Sequence, residues 1–135
     1  MAETIQLEIV TPERLVVKVA AEYIEIPGKT GYLGVLPGHA PLISELAAGE
    51  LTYRVGNQTK RLAVAWGFVE VLQDKVTILA ETAEKAEDID TARAEAAKRK
   101  AEGELQKAGP DGNAEAKAAL QRATARLDVA GKPKS

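Results

Sequence analysis

From Ile5 to Ala80 apolar side chains return at every second position. Ile5, Leu7 and Ile9 alternate with Gln6 and Glu8, and Leu15, Val17 and Val19 repeat the spacing after the turn Thr11-Pro12-Glu13-Arg14. A period of two predicts half-buried β-strands. Further runs cover 23–26, 42–46, 51–55, 59–64, 68–72 and 76–80, with Gly56-Asn57 marking a hairpin and Gln73-Asp74-Lys75 joining the last two. Between them, PGKTGYLGVLPGHAPL places glycine at 28, 31, 34 and 38, a spacing that predicts tight corners and close backbone approach at the edge of a small sandwich or barrel. After Ala80 the period changes. Ile89, Ala92 and Ala96 lie three or four apart, as on a helix, with Asp88 placed to cap it and Asp90 adding negative charge at the positive end of its dipole.

The predicted first helix covers about 89–107 and stops at Gly109-Pro110, because proline cannot continue a helix and glycine suits its C-terminal end. Asp111-Gly112-Asn113 makes a tight link, and Asn113 caps a second helix over about 114–130. The expected fold is therefore a β-sandwich of about ten strands over residues 1–84, followed by a C-terminal antiparallel two-helix hairpin over 85–135. The expected apolar stripe of the hairpin is thin: Ile89, Ala92, Ala96 and Leu105 on the first helix, Ala116, Leu120, Ala123 and Leu127 on the second. Each alanine buries about one methyl, or ~0.8 kcal/mol. Such a hairpin can lie on the body in one state and leave it in another.

Composition narrows the function. The net charge is -2, and 7 basic against 10 acidic side chains before residue 84, then 11 against 10, give neither half a basic patch for nucleic acid. No window approaches the roughly 18 apolar residues of a membrane span. No charged-then-apolar signal pattern opens the chain, so the expectation is a protein that works where it is made and does not insert into a membrane. Without cysteine there is no disulfide and no thiolate metal site. Gly28-Lys29-Thr30 imitates the end of a phosphate loop, but Tyr23 stands where its first glycine is needed, so a turn is expected. His39 is the only histidine and lies in a glycine-proline turn, where it bonds to backbone or meets a partner. Trp66 beside Gly67 reads as a core or edge aromatic, or as a partner-facing hot spot. With no acid–base pair and no nucleophile set, the expectation is not an enzyme.

The hairpin concentrates arginine. Glu95 is spaced to pair with Arg99, which predicts a solvated face there. Asp90 and Arg93 share one face and Arg122 and Arg126 another, and guanidiniums converging across an antiparallel pair can hold the phosphates of a nucleotide.

Five segments in order resemble one family along the whole chain: LEIVTPER at 7–14, GVLPGHAPL at 34–42, GFVEV at 67–71, VTILAE at 76–81 and AEDIDTARA at 86–94. The chain is similar to the epsilon subunit of bacterial F-type ATP synthase. That resemblance implies a non-catalytic central-stalk subunit, peripheral on the cytoplasmic face of the plasma membrane. Its sandwich grips the gamma subunit and the c-ring, and its mobile helices enter the alpha/beta head to inhibit ATP hydrolysis. It implies no required cofactor but a regulatory ATP, since the Ile-Asp-x-x-Arg-Ala signature of ATP-binding members matches Ile89, Asp90, Arg93 and Ala94, and the second-helix arginines match Arg122 and Arg126. Two departures stand out. Lys100 replaces an arginine that some members carry, and Trp66 stands where the family often has the first glycine of a Gly-Gly pair. Taken without the resemblance, the layout also suits a free-standing adaptor or ATP sensor with a detachable hairpin; co-purification with gamma and c-ring subunits separates the two.

Overall fold

The computed structural model describes residues 3–109 and 112–131. Eight strands form the body: β1 (Ile5–Val10), β2 (Leu15–Ala21), β3 (Tyr23–Gly28), β4 (Gly31–Val35), β5 (Leu42–Leu46), β6 (Gly49–Val55), β7 (Gln58–Val71) and β8 (Lys75–Lys85). A single 3-10 turn, Ala86–Asp88, leads to helices α1 (Thr91–Ala108) and α2 (Ala114–Ala130). The alternation read from the sequence is the burial pattern itself. Ile5, Leu7 and Ile9 are wholly buried, while the residues between them are partly exposed.

The strand count falls below ten partly because β7 runs unbroken for 14 residues, where two short strands were expected, and partly because the glycine-rich segment after β3 contributes one strand, β4. Its first part pairs antiparallel with β6 (Val55↔Gln58 to Gly49↔Val64), and its last part pairs with β5 (Leu46↔Gly67 to Leu42↔Val71). β8 lies along its other edge from Leu62 to Val71, then pairs in parallel with β1, which carries β2. One long hairpin therefore crosses from one layer of the sandwich to the other. The crossing falls at Trp66 and Gly67, with φ of 53° and 125°. Glycine is required at the second position, since a Cβ there would sit 1.8 Å from the Leu79 carbonyl oxygen. β8 also continues five residues past the expected end of the sheet at Ala80.

The body encloses Ile, Leu and Val from every strand, including Leu7, Ile24, Leu51, Val69 and Ile78. No helical residue belongs to this core. α2 contacts β6, β7 and the 3-10 turn, whereas α1 lies chiefly against α2. A second, separate cluster joins the two parts: Ala63 of β7 with Ala125 and Val129 of α2, and Ala86 and Ile89 at its margin.

That arrangement corrects the expected stripe. Ala92 and Ala96 are exposed, and the buried residues of α1 are Ala94 and Ala101. On α2, Ala116 and Ala123 are buried as expected, but so are Ala125 and Val129, because this helix packs on two sides. The first helix cap also moves. Asp90, not Asp88, is the N-cap, its Oδ1 accepting the Arg93 amide at 3.1 Å, while Asp88 belongs to the preceding 3-10 turn. Asn113 caps α2 as expected, accepting the Ala116 amide at 3.1 Å, and Gly109 ends α1 with φ 72°. The expected Pro110 and Asp111 of the link lie outside the described residues.

Candidate functional site

The six residues singled out on the hairpin divide into two groups. Ile89, Asp90, Arg93 and Ala94 build the start of α1. Ile89 closes the 3-10 turn through its amide to the Ala86 carbonyl at 3.4 Å and packs its side chain into the cluster of Ala63, Ala125 and Val129. The Asp-x-x-Arg spacing is the spacing from a helix cap to the third helical amide, which the Asp90 carboxylate accepts. Ala94 is buried, where a larger side chain would not fit without movement. Arg93 points into solvent.

Arg122 and Arg126 belong to α2, and both reach the body. The Arg122 guanidinium carbon lies over the Trp66 ring, 5.3 Å from its centroid. Arg126 Nε pairs with the Glu84 carboxylate at the end of β8, both side chains being half-buried. Among the described residues, no hydrogen bond or ion pair links either guanidinium to Asp90, nor does Glu95 pair with Arg99. The expected common face of Arg122 and Arg126 is thus present, but it faces the sheet. The donor set suits an anion: Arg126 holds a carboxylate oxygen as it would hold a phosphate oxygen.

The other motifs resolve simply. Lys29 lies in the β3–β4 turn and pairs with Glu45 at 3.2 Å, in exposed surroundings. His39 Nδ1–H donates to the Ala40 carbonyl at 2.7 Å. Among the described residues no group of His, Asp and Glu side chains could hold a metal ion, and no helix is long and apolar enough to cross a membrane.

One surface was missed in the sequence. Phe68, Leu79, Val10 and Leu15 stand in successive register across β7, β8, β1 and β2, and Phe68, Leu79 and Leu15 are more than half exposed. The signal was available, because Phe68 and Leu79 occupy positions where the alternation calls for polar residues. A continuous outward apolar row of this kind marks a partner surface.

Residues 4–86 match the family model for the ATP synthase Delta/Epsilon chain beta-sandwich domain, and 87–131 match that for its long alpha-helix domain. This chain belongs to the ATP synthase Delta/Epsilon chain family. The resemblance carried by the five segments therefore holds. A Koribacter versatilis protein named ATP synthase epsilon chain is 63% identical over 111 residues, covering 82% of this chain and 78% of that protein. A Solibacter usitatus protein of the same name is 48% identical over 133 residues, covering 98% of this chain and 99% of the relative. In the cryo-EM structure of the Euglena gracilis mitochondrial ATP synthase OSCP/F1/c-ring assembly, one chain shares the fold with a TM-score of 0.80 at 24% identity, over 94% of this chain and 81% of that one. A chain of the Tetrahymena thermophila mitochondrial ATP synthase central stalk and c-ring matches with a TM-score of 0.60 at 14% identity, over 93% and 96%.

Proposed function

We propose that this chain is a non-catalytic rotor subunit of an ion-translocating F-type ATP synthase, at the cytoplasmic face of the bacterial plasma membrane. Its body couples the gamma subunit to the c-ring, and its hairpin inhibits ATP hydrolysis by leaving the body for the alpha/beta head. The observation that carries this reading is the division of the apolar interior. The body holds its own core of Leu, Ile and Val, while the hairpin is attached through a small cluster dominated by alanine. Burying one methyl contributes only ~0.8 kcal/mol, so the hairpin can detach while the body stays folded. The apolar row from Phe68 to Leu15 supplies the body with a rigid surface for the gamma subunit.

The same reading gives the hairpin a regulatory ATP. Arg122 and Arg126 are placed on one face and Arg93 is free in solvent, so their charge suits phosphate. ATP reaches Arg126 by replacing the Glu84 carboxylate. A ligand that binds one state alone stabilises it by ~2.7 kcal/mol at a hundredfold excess over Kd, enough to set which state of a thinly attached hairpin dominates. The test is ATP hydrolysis by the assembled enzyme with and without residues 88–135. Removal should raise the hydrolysis rate and leave coupled synthesis largely intact; equal hydrolysis rates would sink the braking role.

A further inference from the structure

We infer that Trp66 and Arg122 form a latch that holds the hairpin on the body without any ligand. The inference goes beyond the regulatory reading above, since it concerns two side chains of this chain alone. The Arg122 guanidinium lies 5.3 Å from the ring centroid, inside the roughly 6 Å within which an aromatic face attracts a cation. Trp66 belongs to the body and Arg122 to α2, so the contact exists only while the hairpin is docked.

The backbone supports a role for the ring itself. With φ 53°, Trp66 is the one non-glycine residue in the left-handed region among the described residues. Glycine takes that conformation freely, and a bulky residue takes it at a cost. A large side chain kept at such a point indicates that its contacts offset the strain.

The surroundings make this contact weigh heavily. A cleft of about 1030 Å³ opens beside Trp66, between Ala47 to Glu50 on the body and Leu120 to Asp128 on α2, so this part of the interface is incompletely packed. What remains is a short series of anchors along α2. Arg122 grips Trp66, Ala125 and Val129 meet Ala63, and Arg126 grips Glu84. Trp66 lines the open cleft, and Arg122 is the anchor nearest the start of α2. Losing it frees that end of α2 first.

The test uses the full-length protein and amide hydrogen exchange. Arg122→Ala and Trp66→Phe bracket the contact; Trp66→Gly removes the ring and relieves the backbone together. Arg122→Ala should raise the opening of α2 amides between Leu120 and Val129 by about two- to fivefold, the value of an exposed cation–π contact. Amides of β1 should keep their protection, because β1 lies in the separate core. Arg122→Lys should retain part of the effect. Trp66→Gly should open α2 as Arg122→Ala does, and the double variant should open it no further than the larger single change. As the only tryptophan, Trp66 also reports directly, and its emission should shift in Arg122→Ala. Wild-type exchange of α2 in Arg122→Ala would overturn the latch, as would a double variant whose effect is the product of the two single ones. If Trp66→Gly does not fold, Trp66→Asn, which removes the aromatic face and tolerates the left-handed backbone, completes the cycle with Arg122→Ala.

Discussion

In the proposed nucleotide reading an ATP phosphate would compete with Glu84 for the Arg126 guanidinium, which makes the pair a residue-scale test of that reading. Arg126→Ala removes a charge-assisted contact of about 1.5 to 3 kcal/mol, so ATP affinity should fall tenfold or more by calorimetry. Glu84→Gln keeps the shape and removes the competing anion. Because the Arg126–Glu84 pair is only half-buried and contributes at most about 1 kcal/mol, ATP binding should tighten by up to about fivefold. Looser binding in Glu84→Gln would mean that the carboxylate orients the arginine for ATP instead of competing with it. A second residue-scale effect comes from Tyr53, whose pKa is raised by burial and, secondarily, by the Glu87 carboxylate. A raised phenol pKa favours the neutral form in the folded state. Its contribution to stability is complete below the unfolded value of ~10 and is lost as pH rises through the folded one. Tyr53→Phe should flatten that alkaline limb in thermal midpoints measured from pH 8 to 11. Tyr23, raised by burial and by Glu25, keeps a smaller slope in the variant.

At the scale of elements, the long hairpin of β7 and β8 depends on one glycine. In Gly67→Ala the new methyl would meet the Leu79 carbonyl, and the backbone angle of 125° would remain unfavourable. Both effects act where β7 passes from β6 to β5, so the loss should exceed about 2 kcal/mol in urea unfolding. A loss below 0.5 kcal/mol would mean that the crossing relaxes easily. The same point explains how far the sequence could be read. Strand existence was legible because alternation follows burial directly, from Ile5 to Ile78. The continuity of β7 was not, because a tryptophan and a glycine between two apolar runs look like a turn, and only the pairing of both halves with β8 makes them one strand. Helix α2 and its Asn113 cap were legible for the local reasons that make caps. Asp90 displaced Asp88 because β8 ran longer and a 3-10 turn used the intervening residues. The arginine face was legible as a face, since Arg122 and Arg126 are four apart. Its direction was not, because no periodicity says which neighbour a two-sided helix turns its arginines toward.

For the whole molecule, the two apolar clusters predict two unequal stabilities. The body buries many side chains of Ile, Leu and Val, each worth about 1.5 to 3 kcal/mol on full burial, and none comes from a helix. The hairpin buries mainly alanines and gains Val129, one half-buried ion pair and one cation–π contact against the sheet. A chain ending at Ile89 keeps all of β8 and the amide that closes the 3-10 turn, losing Ala125 and Val129 over Ala63 and the contacts of Arg122 with Trp66 and of Arg126 with Glu84. It should therefore unfold in one cooperative thermal transition. In the full chain, α2 should leave the sheet before the sheet unfolds. In a urea titration the emission of Trp66, which reports the docked helix, should change at a lower concentration than the near-ultraviolet signal of Tyr23 and Tyr53 in the body. Coincident transitions would place body and hairpin in one cooperative unit. The hairpin could then leave the body only by unfolding it, and a mobile brake on a folded rotor subunit would be physically excluded.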